Sequence, residues 1–232
     1  MYGVMIDSLL SAAVTAHDAP ALPETTRERI LRVGMACFAQ EGFAGATTRM
    51  IASAAGVTLP VIAYHFGNKD GLHLACAEEI VEQHRRRLLP VAAAARCAAD
   101  DGSLTGDQAR VWLEKILAAL VAAITADDEQ RLATDFVLRE LSEQGPGYHL
   151  LYEELWKPGM ELVAELIAIA RGKGAADQSD RVGAMMLLAS LSSLTRDEPV
   201  ASAFLGGSAS EDPHKTLIGE CALRMLSGLI AS

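Results

Sequence analysis

Apolar residues return at every third or fourth position along most of the 232-residue chain and nowhere alternate strictly, a pattern that predicts helices and no strands. The expected fold class is all-α. Thr25 and Glu28 form a capping-box pattern ahead of Ile30, Leu31, Gly34 and Phe38, which share one face of a first helix closed by Gly42. Over residues 47–69 two short helical patterns are joined by a single glycine. In the first, Met50, Ile51 and Ala54 recur at helical spacing behind Thr47 or Thr48 as N-cap, and Gly56 supplies the left-handed residue that ends it. Val57 plugs the corner. The second starts at Thr58 as N-cap, tolerates Pro60 in its first turn, where N–H groups have no intrahelical partner, and turns Ile62 and Phe66 inward.

Asn68 is the next N-cap, and Leu72, Cys76 and Ile80, spaced by four, predict a long helix to about residue 95 with a kink at Pro90. Further helices are predicted over 107–125, 128–142, 147–171, 179–195 and 213–230. Gly145-Pro146-Gly147, the run 171–174 and Gly206-Gly207 break the pattern, and Pro158 should bend or split the helix that contains it. Residues 1–23 carry an apolar patch at 4–14 without caps, followed by a helix-breaking run through Pro20 and Pro23, and are read as a flexible arm. The expected organisation is an arm over 1–23, a three-helix domain with a helix-turn-helix over 24–70, and a helical body over 71–232.

The second short helix leaves Thr58, Leu59, Pro60, Ala63, Tyr64 and His65 facing outward. Hydroxyls, an aromatic ring and an imidazole on a slim exposed helix suit the major groove of DNA. The sequence from Ala52 to Leu72, A-x-x-A-G-V-T followed by Y-H-F-G-N-K-D-G-L, resembles the TetR family of one-component transcriptional regulators, and the preceding helix from Ile30 to Phe43 extends the likeness over about residues 24–85. Leu59-Pro60, Arg139-Glu140-Leu141 and Pro158 are similar to the CecR-like branch. The resemblance implies a homodimer whose two recognition helices enter successive major grooves of a palindromic operator, with a small-molecule inducer in the second, ligand-binding and dimerisation domain. It makes Thr48, Arg49 and Lys69 the phosphate binders. One departure stands at Ala63, where many relatives carry a larger residue that reaches a phosphate.

A net charge of −10 argues against nucleic acid only if it is spread evenly, and it is not. Residues 24–87 hold eight Lys/Arg against seven Asp/Glu, whereas 88–232 hold twelve against twenty-one. A near-neutral reader on an acidic body predicts modest affinity per subunit and a need for two. At least two of Arg27, Arg29 and Arg32 on the first helix are read as plainly solvated, and the run Arg85-Arg86-Arg87 as a solvated face, with phosphate contact the lesser alternative. The last two predicted helices carry too much apolar circumference for a lone surface helix, which suggests that they face a second copy.

Cys37, Cys76, Cys97 and Cys221 have no paired spacing, and three sit in apolar registers, as reduced thiols buried in a cytoplasmic protein would. The longest apolar runs fall short of the ~18 residues of a membrane span, so no membrane partner is expected. His149 with Glu153 and Glu154 lacks a third ligand at metal spacing. Without a G-x-S-x-G, a phosphate-cradling glycine loop or an H-E-x-x-H, no catalytic residue, metal or cofactor is assigned. Trp112, Ile116, Phe136, Tyr152, Trp156 and Met160, with the polar Arg139 and Glu140, are the candidate lining of an inducer pocket, although aromatics at helical spacing also serve as plain core. The expected function is a ligand-responsive homodimeric repressor. Two rivals remain: a helical small-molecule carrier or enzyme that keeps the helix-turn-helix as packing, and a helical protein-interaction module that works without DNA.

Overall fold

The computed structural model describes residues 24–100, 102, 104–125, 128–196 and 198–231, so the arm expected over 1–23 lies outside the described residues. Every regular element among them is helical. The capping box forms as the sequence predicts: Glu28 N–H donates to Thr25 Oγ1 at 3.2 Å and Thr25 N–H to Glu28 Oε2 at 2.8 Å. It opens α1, Thr26–Gly45, which breaks at Gly42, where φ is 72° and ψ 172°. A side chain at Gly42 would face that strained backbone and the Glu143 carboxylate 3.0 Å from its Cβ. After α1 come α2, Thr48–Ala55, α3, Leu59–Phe66, and α4, Lys69–Asp100, which continues through Pro90 as one helix.

The body consists of α5, Gly106–Ile124, α6, Asp128–Glu143, α7, Tyr148–Leu151, α8, Lys157–Ala170, α9, Gln178–Arg196, α10, Glu198–Leu205, and α11, Asp212–Ala231. Between α7 and α8 the chain widens into a π-helical turn, Tyr152–Trp156, in which Lys157 N–H reaches back five residues to the Tyr152 carbonyl. Pro158 lies just past it. Because a proline ring crowds the carbonyl four residues earlier and offers no N–H, a widened turn relieves the conflict without ending the helix. The split expected at Pro158 thus falls one turn before it. The sequence reading missed α10, in which Val200 and Phe204 lie one turn apart on a face that is 71% and 88% exposed.

Two apolar clusters hold these helices. The first joins α1, α2, α3 and the near half of α4 to α6 through Ile30, Phe38, Ile51, Ile62, Leu72, Ile80 and Phe136, all essentially fully buried. It continues across residue 70, the boundary expected from sequence. The second gathers Leu113, Leu117, Leu166, Ile167, Leu187 and Leu226 from α5, α8, α9 and α11. Of the cysteines, Cys76 is buried in the first cluster and burial holds its thiol far above the ordinary range, but Cys37 is only half-buried and Cys97 and Cys221 are exposed. The expectation of three buried thiols fails because Cys97 and Cys221 fall on the outer faces of their helices.

Polar groups stitch α6 to α1 and α4. Arg139 Nε donates to the Ala39 carbonyl at 2.9 Å and Nη2 to that of Gln40 at 3.2 Å, satisfying acceptors in the last turn of α1 before it breaks. His73 Nε2 lies 3.2 Å from Glu140 Oε2, with both side chains almost fully buried. The other Glu140 oxygen accepts from Gly147 N–H. His73 Nδ1 is buried without a partner among the described residues, which favours the tautomer that carries its proton on Nε2 and donates to the carboxylate. Glu140→Ala should therefore strand a buried imidazole and a backbone N–H together, at a cost of about 2–4 kcal/mol in urea unfolding. Glu140→Gln, which keeps an acceptor in place, should lose much less. Equal losses from the two would show that both carboxylate oxygens are required, and not one acceptor in the same volume.

Candidate nucleic-acid interface

The turn between α2 and α3 is fixed by backbone chemistry before any ligand is considered. Thr47 is the N-cap of α2, its Oγ1 accepting from Met50 N–H at 3.2 Å. Gly56 adopts the left-handed conformation, φ 63° and ψ 37°, and lets Val57 N–H return to the Ala52 carbonyl at 2.9 Å. Thr58 occupies the N-cap position of α3, but its side chain makes no capping bond. The first turn of α3 is held instead by the Thr58 carbonyl, which accepts from Val61 N–H at 3.0 Å. Pro60 sits in that turn, where its missing N–H costs nothing.

Inward, Ile62 is buried, and Val57, Val61 and Phe66 pack against the first cluster. Outward, Thr58, Leu59, Pro60, Ala63 and Tyr64 are exposed and His65 is half-buried. Tyr64 is 85% exposed, with its ring edge-on to His65 at 5.1 Å. Five of the six residues picked from sequence are thus exposed at this end of the molecule, with His65 partly covered beside them. At its flanks Arg49 is exposed, Thr48 is half-buried in the first turn of α2, and Lys69 starts α4 with its ammonium 4.5 Å from the centroid of the Phe43 ring. Asn68 Oδ1 caps α4 by accepting from Gly71 N–H at 2.8 Å. Cations, hydroxyls and two helix N-termini thus border the α3 face.

Some of this edge was not singled out in the sequence. An open cleft of about 610 Å³ runs between the first turn of α1 and α3, lined by Thr26, Arg29, Thr58, Pro60, Tyr64 and His65. Arg29 Nε is buried without a partner among the described residues, and Arg27 lies over the Phe66 ring at 5.5 Å. Neither arginine is a merely solvated charge. Two positions apart on α1, they point to different sides of the helix, so periodicity alone did not bring them to one edge. Arg85 and Arg86 are engaged instead with Glu154 at 2.7 Å and Glu82 at 3.0 Å.

The candidate inducer residues are not brought together in the same way. Phe136 is fully buried in the first cluster and Trp156 packs against that cluster, whereas Trp112 and Ile116 pack against the second. Tyr152 stacks on Tyr148 at 5.9 Å, Met160 is half-buried, and Arg139 and Glu140 are committed to α1, His73 and Gly147. His149 is exposed, and its neighbours Glu153 and Glu154 pair with Lys157 and Arg85. Among the described residues no group of three or more potential ligands could hold a metal ion, and no helix is long and apolar enough to cross a membrane.

Known proteins share this arrangement. The chain is 29% identical to the transcriptional dual regulator CecR of Shigella flexneri over 154 residues, 66% of this chain and 68% of that protein. It is 42% identical to the transcriptional repressor AcnR of Corynebacterium glutamicum over 57 residues, which span 25% of this chain and 30% of AcnR. The solved SmeT–triclosan complex superposes with a TM-score of 0.57 over 88% of this chain and 91% of that one, at 22% identity, which speaks for the fold. Residues 30–76, which contain the capped turn and the whole of α3, match the family described as bacterial regulatory proteins, tetR family, so the end of the molecule that presents α3 is a DNA-binding helix-turn-helix of the TetR type.

Proposed function

We propose that the protein is a homodimeric repressor that binds a palindromic operator and is released from it by an apolar small molecule. The observation that carries this reading is the outward face of α3, with Tyr64 85% exposed, on a turn locked by Gly56. In it, Thr58, Leu59, Pro60, Ala63, Tyr64 and His65 meet base edges and the groove wall. Thr48, Arg49 and Lys69 hold phosphates on either side. AcnR, named a repressor, supports the sign of regulation.

Two half-sites require two copies of α3 held one helical turn of DNA apart, about 34–36 Å. A second copy is supported by the outer faces of α9 and α11, where Val182, Met185, Met186, Leu217 and Met225 are 45–64% exposed. An apolar area of this kind is rarely left to water. SmeT was solved with triclosan, and the same body in this chain supports an apolar inducer held near Trp112 and Ile116. Such a ligand acts only through its different affinity for the bound and released conformations.

Anisotropy titration against duplexes from the neighbourhood of its own gene tests the reading. Lys69→Ala should weaken binding to every sequence alike and lower the log–log salt slope by ~0.9 for each phosphate that is no longer neutralised. Tyr64→Ala and His65→Ala should cost more on operator than on scrambled duplex, by about 1–3 kcal/mol where a base contact goes. Unchanged operator affinity in all three would leave the helix-turn-helix as packing in a carrier or enzyme. Met186→Glu should yield a monomer by sedimentation that no longer binds operator. A wild-type monomer at micromolar concentration would remove the two-half-site scheme.

A further inference from the structure

We propose that Phe43 is a positioning residue for Lys69, its ring holding the ammonium pre-aimed at a DNA phosphate; this rests on the reading of Lys69 as a phosphate binder. The Lys69 Nζ lies 4.5 Å from the Phe43 centroid, within the range where a ring face attracts a cation. No carboxylate pairs with Lys69 among the described residues, so the ring is what fixes it. A free lysine has a flexible four-carbon stem whose ordering opposes binding. With the ammonium held over the ring face, part of that ordering is already made in the unbound protein. The ring shields one side of the ammonium and offers no hydrogen-bond acceptor that would compete with phosphate.

The ring itself is not free to follow the lysine. Phe43 comes directly after the left-handed Gly42, which turns it back toward α4. It stacks on Phe38 with centroids 6.2 Å apart and meets His73 edge-on at 5.1 Å. His73 is one helical turn after Lys69 on α4 and is held by Glu140 of α6 at 3.2 Å. The seat of the phosphate-binding lysine is thereby built from three elements, α1, α4 and α6. Two ring contacts separate Lys69 from a buried carboxylate of the body.

The test is a double-mutant cycle on a mixed-sequence duplex across a range of salt, with full-length Phe43→Leu, Lys69→Ala and the combined variant. Leucine keeps an apolar side chain but removes the π face. Phe43→Leu should weaken binding roughly two- to fivefold per subunit while leaving the salt slope unchanged, because the phosphate contact still forms once the lysine is ordered. In the Lys69→Ala background the same substitution should change nothing, and Phe43→Tyr, which keeps the ring face, should bind as the unmodified protein does. A loss from Phe43→Leu that persists undiminished without Lys69 would show that the ring serves only to pack the domain, and would overturn the proposal while sparing Lys69 itself. If Lys69→Ala alone altered neither affinity nor slope, the phosphate reading would fall first and take the proposal with it.

Discussion

The hydrogen-bonded pair of His73 and Glu140 constrains how the two ends of the molecule can be joined. An imidazole and a carboxylate are both taken out of water among Phe38, Phe43 and Phe136, and each is tolerable there only while the other is in reach. That requirement fixes the register of α6 against α4. The same carboxylate binds Gly147 N–H, so the loop after α6 closes around it. A side chain at Gly145 would place its Cβ 2.5 Å from a Glu140 oxygen, which explains a glycine there without any need for positive φ. Arg139, one residue earlier, then lies where it can reach the end of α1.

These contacts make the helix-turn-helix less independent than a tethered reader would be. Its hydrophobic core is shared with α6, and α4 runs from its last turn into the body as one uninterrupted helix. A packed interface of this kind shifts between discrete arrangements rather than bending by degrees. A ligand that displaced α6 would therefore act on α1, α4 and the Phe43 seat together. The π-helical turn at Tyr152–Trp156 borders the same region, since Arg85 of α4 pairs with Glu154 inside it at 2.7 Å. Exposed pairs of this sort contribute little stability, so that contact is cheap to exchange.

Charge and packing divide the labour. The acidic surplus lies beyond residue 87, leaving the α3 end near neutral, a distribution that would turn this end toward a polyanion. Arg27 and Lys69 both lie over aromatic rings, and neither has an acidic partner within ion-pair distance among the described residues. Cations held on rings keep their charge available to a phosphate, which an ion-paired cation does not.

The sequence alone determined what depends on local geometry. The caps at Thr25 and Asn68, a cap at Thr47 or Thr48, the left-handed Gly56, the inward Ile62 and the outward Thr58, Leu59, Pro60, Ala63 and Tyr64 were legible, because each follows from helix periodicity and from groups within four residues. The likeness carried by residues 52–72 added the family. Tertiary structure decided what depends on distant partners. Phe136 and Trp112 read alike as bulky apolar residues of neighbouring helices, yet they entered different clusters. Arg139 and Glu140 looked like polar groups lining a pocket but bond residues about a hundred and about seventy positions away. Phe43 gave no sign that it faced Lys69, and nothing local showed that Val200 and Phe204 of α10, one turn apart, face outward. Periodicity reports which face of a helix is buried, but the partner on the other side of that face is set by crossing angles that no local pattern encodes.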